Sequence, residues 1–213
     1  MKKFFLTLAI AFVAATTASA QLGGLSVGAG YQSYTDHADY TVTLPIVGAV
    51  TFNENDPYAG FYAGLSYNLL TLGPGINIVP GLYFSSASYK SANNGDIQAK
   101  QNFLGIPVNF SYKLDVVPGT LALEPYAGPT FSFALGYKTT SDNWKNTTDM
   151  YSDDSDLGKF NLALGGGLAL NIVDMIRVTV GYNYYLLNLY KGDGAGTYQR
   201  NGVLNFGVAY LFK

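Results

Sequence analysis

The chain has 213 residues, no cysteine, 12 Lys and Arg against 14 Asp and Glu, and only 12% charged residues beside 15% aromatics. The missing cysteines exclude a disulfide framework, thiolate metal sites and a lipid-modified cysteine anchor. The acidic balance argues against nucleic acid, and a charged fraction about half that of ordinary soluble domains implies outer surface that does not meet water.

Residues 1–20 read as a secretory signal peptide: Lys2 and Lys3, an apolar run from Phe4 to Ala15, then Ala18-Ser19-Ala20 before Gln21. That run is too short for a membrane helix. Setting aside Lys2 and Lys3 leaves 10 basic residues, hence a formal charge of about −4 for residues 21–213. No later stretch holds the ~18 continuous apolar residues of a spanning helix, and the apolar period is two rather than 3.6.

Eight strands are expected. The first, "LSVGAGYQSY", puts Leu25, Val27, Ala29 and Tyr31 on one face; the second, "GFYAGLSYNLL", does the same with Phe61, Ala63, Leu65, Tyr67 and Leu69. "INIVPGLYFSS" and "FLGIPVNFSYKL" follow, then "LALEPYAGPTFSFALGY", "FNLALGGGLALNI" and "IRVTVGYNYYL". The last, "GVLNFGVAYLFK", aligns Leu204, Phe206, Val208, Tyr210 and Phe212 against Asn205, Gly207 and Ala209. In every strand the second face is mostly Gly, Ala, Ser, Thr, Asn and some Tyr, a set suited to the polar interior of a narrow barrel.

Connections alternate in length. Short turns fall at Thr71–Gly75, Asp115–Thr120 and Val173–Met175, and long polar connections occupy about 35–57, 90–99, 138–158 and 190–199. This is the build of an outer-membrane barrel, with turns on the periplasmic side and loops outside. Pro80, Pro107, Pro125 and Pro129 lack a ladder donor and predict bulges or breaks. A secreted soluble sandwich would instead place charge on the face opposite the apolar stripe. The expectation is therefore an all-β, eight-stranded antiparallel up-and-down transmembrane β-barrel over residues 21–213, located in the outer membrane among its lipids and lipopolysaccharide.

"LGIPVNFSYKL" (104–114) followed by "EPYAGPTFSFALG" (124–136) resembles the central hairpin of the PorT-like, OmpX-like small outer-membrane β-barrels of Bacteroidetes, and "GGGLALNI" and "GVLNFGVAYLF" are similar to their closing strands. The resemblance implies an eight-stranded outer-membrane barrel and no single activity.

Candidate site residues are few. Lys113, Glu124 and Arg177 fall on inward positions near the short turns, where Lys113 and Glu124 predict an ion pair that Arg177 joins. A lumenal plug is favoured there over a gate or ion path, because eight strands enclose only enough room for their own side chains. His37, the only histidine, lies beside Asp36 and Asp39 with Ser33 nearby. An outer-leaflet lipid-modifying enzyme would need such groups, yet no spacing sets a nucleophile against His37, so a solvated loop histidine is expected and no catalytic residue is assigned. The loop holding Asp153, Asp154 and Asp156 is a candidate cation-binding loop, although "DDSD" lacks the spacing of an EF-hand and an ordinary acidic loop is favoured. In the first loop, Tyr40–Ile46 and Val47–Phe52 alternate but are each too short to cross a membrane, which predicts a hairpin above the barrel. Its edge would pair with a protein partner, or it would fold over the mouth as a lid. The expected function is a non-enzymatic structural or surface-interaction role through the long loops, without cofactor, metal or nucleic acid. The alternatives are the His37 enzyme and a narrow ion or solute channel.

Overall fold

The structure, a computed structural model, describes residues 24–44, 48–72, 75–90, 97–141, 146–149, 151, 157–191 and 196–212. The signal segment, 1–20, lies outside them. Eight long strands make one wall: β1 Leu25–Leu44, β2 Gly48–Tyr67, β3 Ile76–Lys90, β4 Ile97–Tyr112, β5 Leu121–Ser141, β6 Phe160–Ile172, β7 Ile176–Tyr185 and β8 Gly196–Leu211. Each is antiparallel to its neighbours in sequence. β8 pairs back onto β1 from Ser26↔Leu211 to Tyr40↔Gly196, so the sheet closes on itself. Closure removes the edges that an open sheet would leave unpaired in lipid.

Alternation decides which face is which. Phe61 is 73% exposed and Phe206 54%, whereas Gln101 is 0% and Glu124 3%. Leu164, Leu204 and Phe110 also lie outside, while Ser26, Gln32, Asn77, Thr130 and Asn171 are buried in the lumen. Such an apolar exterior costs about 25 cal/mol per Å² if it faces water and nothing if it faces acyl chains. No helix among the described residues is long and apolar enough to cross a membrane, so any crossing is made by strands. Small inward residues let the walls approach. A Cβ on Gly128 would overlap the Val108 carbonyl oxygen, and one on Gly105 would overlap the Tyr83 ring.

The strands extend past the expected spans. β1 and β2 pair without a break from Leu25↔Tyr67 to Leu44↔Gly48, so the expected separate hairpin within a 35–57 loop is a continuation of the wall. Its outward reach beyond Asp36 is roughly 25–30 Å at ~3.3 Å per residue. His37 correspondingly sits in β1, opposite Asn55 and Gln199, and is not a loop residue. On the β3 side, the described pairing of β2 runs to Ala59↔Ser88.

At the other end, Leu70–Leu72 pairs with the start of β3, and Leu114–Val117 extends the line of β4 beside β5. The first two turns are therefore tighter than expected, while Val173–Met175 has the expected bounds. In Val117-Pro118-Gly119-Thr120, Thr120 N–H donates to the Val117 carbonyl at 2.9 Å, with Gly119 at φ 71° as such a turn requires. The prolines shift no register. Pairing skips 81–82 against 106–107 and 108–109 against 128–129, then resumes in phase, while Pro125↔Leu168 and Pro129↔Leu164 pair normally. A proline loses one donor but keeps its place in the pleat. The bulges fall elsewhere, at Thr35/Asp36, Asn102/Phe103 and Asp115/Val117.

Candidate functional site

The lumen is organised in three layers. Nearest the short turns, Glu124 on β5 accepts from Ser111 Oγ at 2.5 Å, from Asn171 Nδ2 at 2.6 Å and from Arg177 Nη2 at 2.6 Å. Arg177 Nε in turn donates to Asn171 Oδ1 at 2.8 Å. Asn171 and Arg177 are directly opposed across the β6–β7 ladder, so the amide bridges the gap between β5 and β7. With Glu124 and Arg177 only 4% and 18% exposed, this is a buried pair whose carboxylate oxygens are both occupied.

Lys113 does not join it. It stands opposite Glu124 in the β4–β5 register, yet its Nζ donates to Asp174 Oδ1 at 2.9 Å and lies 3.4 Å from Asp115. Glu124 is already saturated by three donors, and the flexible lysine stem reaches the acidic turn instead.

Above the pair lies a cavity of about 190 Å³, lined by Gln32, Tyr62, Tyr83, Asn109, Tyr126 and Asn183. Below it lies a second, of about 330 Å³, bounded by Asn68, Asn77, Lys113 and Asp174. Ser26, Val79, Glu124 and Arg177 line both, so the ion pair is the partition between them.

Toward the loop end the lumen is filled by aromatic rings. Tyr34 stacks on Tyr58 (5.3 Å, 9°), Phe103 meets Tyr34 edge-on at 6.4 Å, and Tyr58 shares a hydroxyl hydrogen bond of 3.0 Å with Tyr137. Gln101 Nε2 donates to Asp36 Oδ2 at 2.7 Å within this roof. Sequence reasoning singled out none of these tyrosines, nor Ser111 and Asn171. The available signal was large aromatics on inward positions of the loop-end half of β1, β2, β4 and β5.

The remaining candidates stay apart. Asp36 is buried in the lumen, so strand alternation turns His37 and Ser33 to the opposite face. Asp153, Asp154 and Asp156 lie outside the described residues; beside them, Tyr151 N–H donates to Asp149 Oδ1 at 3.0 Å. Among the described residues no group of three His, Cys, Asp or Glu is arranged to hold a metal.

Solved structures similar to this one include Ail, the attachment invasion locus protein of Yersinia pestis, at 13% identity, covering 89% of this chain and 99% of that one with a TM-score of 0.42. Neisserial surface protein A is 16% identical, with 86% and 97% covered and a TM-score of 0.42. The outer membrane enzyme PagL is 12% identical, with 88% and 99% covered and a TM-score of 0.46. No curated protein matches the sequence. The model of the outer membrane protein beta-barrel domain matches residues 4–212. A closed eight-stranded wall, apolar outside and polar within, carrying that match over nearly its whole length, makes this chain a member of the outer membrane protein beta-barrel domain family, located in the outer membrane.

Proposed function

We propose that the protein is a non-enzymatic, non-conducting barrel of the PorT-like and OmpX-like kind that presents its projecting β1–β2 hairpin to a protein partner. The observation that carries this reading is the β1–β2 hairpin itself, which runs on in register to Leu44↔Gly48, beyond the last described β2–β3 pair at Ala59↔Ser88. An extended segment of another protein would add to it as a further strand, with backbone hydrogen bonds giving affinity. A lid reading fits less well, because the hairpin continues straight from the wall in unbroken register.

Two closures support a sealed lumen: the aromatic roof at one end and the Glu124–Arg177 partition at the other. The separation of Asp36 from His37 and Ser33 across the wall supports the absence of a catalytic triad. Linear peptides displayed on phage and selected on the folded barrel test the docking reading. Peptides should be enriched on the full chain and lost on a variant lacking residues 41–51 that keeps its heat-dependent electrophoretic mobility. Enrichment indifferent to the hairpin would refute it. His37→Ala should leave the lipid A profile of expressing cells unchanged; an altered profile would restore the enzyme reading.

A further inference from the structure

The turn end of the barrel is apolar where water would be expected. Leu70 and Leu72 are about half exposed, as are Leu114, Val116 and Val117, with Val173 and Met175 close behind. These residues lie past Tyr67, Tyr112 and Tyr210, the aromatics that would mark the belt's lower margin. Alternation continues through Leu70–Leu72 and, beside β5, as far as Asp115. Thr71 bonds to Asn77 at 2.8 Å while Leu70 and Leu72 pair with the outward Ile78 and Ile76. Lys113 and Asp115 bond with each other and Lys113 with Asp174, while Leu114 and Val116 stand on the other face. Lys113 and Asp174 thus line the lower cavity while Asp115 beside them is 55% exposed, and the apolar residues stand outside.

We infer that these turns are immersed in lipid, with the acyl chains of the periplasmic leaflet as the surface that covers Leu70, Leu72, Leu114, Val116, Val173 and Met175. The patch is continuous with the lipid-facing belt. From Leu104 to Leu114 the outward apolar row on β4 and its extension runs ten residue steps in register with β5, and Val116 follows where the register shifts. At ~3.4 Å per step and ~40° of tilt that is about 26 Å, already the height of an ordinary outer-membrane belt of about 25 Å, so Val116 and the other turn residues lie beyond it. The excess lies at the turn end. A second observation agrees. Val173 and Asp174 adopt φ of 47° and 52°, a left-handed conformation where Asn or Gly is usual and a β-branched residue is strongly disfavoured. A valine kept there against its backbone preference is understandable where its side chain meets lipid.

The inference is independent of the docking hairpin, and the absence of native cysteine makes it directly testable. Single variants Leu72→Cys, Val116→Cys and Met175→Cys carry an environment-sensitive fluorophore in phosphatidylcholine vesicles, with Val108→Cys as the mid-belt reference and Lys191→Cys as the aqueous one. Only preparations showing the folded mobility are read, and three positions guard against loss of one variant. Chain-brominated lipid should quench the three turn probes at least half as strongly as the Val108 probe, with iodide quenching them several-fold less than the Lys191 probe. Quenching by iodide and not by bromolipid would overturn the inference in favour of water. Protection from both would overturn it in favour of a protein contact.

Discussion

Replacing Arg177 by Met would remove the positive partner of a carboxylate that is 3% exposed. Two hydrogen bonds disappear, Nη2 to Glu124 at 2.6 Å and Nε to Asn171 at 2.8 Å. Glu124 keeps Ser111 and Asn171 but loses its only cation among the described residues within bonding distance. Breaking a buried pair from one side costs about 3–5 kcal/mol. The lower end, about 3 kcal/mol, applies because Arg177 is 18% exposed and cavities on both sides of the pair admit water. With m near 1–3 kcal/mol/M, urea unfolding followed by mobility shift in detergent should show a midpoint lowered by about 1–3 M. Adding Glu124→Gln removes the stranded charge, so the double variant should recover part of the loss, by about 1 kcal/mol or more. A midpoint shift below about 0.2 M for Arg177→Met, or a double variant as unstable as the sum of the single ones, would refute the description of this pair as a buried, coupled partition.

Three further outcomes follow from the geometry. Gly128→Ala should prevent folding to the heat-modifiable form, since its Cβ would overlap the Val108 carbonyl, whereas Gly136→Ala should fold normally because the nearest atom, Asn102 Nδ2, is 3.9 Å away. Tyr58→Phe should cost about 1 kcal/mol in urea unfolding through the lost bond to Tyr137, and Tyr58→Ala about 3–5 kcal/mol through the hole left in the roof. Phe206→Arg, in the middle of the belt on β8, should cost about 2–4 kcal/mol in lipid vesicles. A loss under about 0.5 kcal/mol there would place that face against water.

The wall was legible in sequence because lipid on one side and a tight lumen on the other impose opposite chemistries on alternate residues. Leu204, Phe206 and Val208 against Asn205 and Gly207 carry that rule plainly. The outer parts of β1 and β2 were partly legible: alternation in Tyr40–Ile46 and Val47–Phe52 predicted a hairpin, but not that it continues the wall without a break, so His37 was placed in a loop. The inward positions of Glu124 and Arg177 and their association could be read from parity, but the exclusion of Lys113 from that pair could not. It depends on Asn171 spanning β6 and on Lys113 being drawn to Asp174, both set by which turn lies within reach. The tyrosine roof escaped notice because an inward tyrosine in one strand looks incidental until closure brings Tyr34, Tyr58 and Tyr137 together.

The most direct measurement of the central claim is electrophoretic mobility of the detergent-refolded protein with and without boiling, alongside circular dichroism. A closed barrel with its apolar face in the membrane predicts a strand-rich spectrum, a mobility difference abolished by boiling, and precipitation when detergent is withdrawn. A protein that stays soluble without detergent and migrates identically before and after boiling would contradict the account, and would require the inner and outer faces to be exchanged.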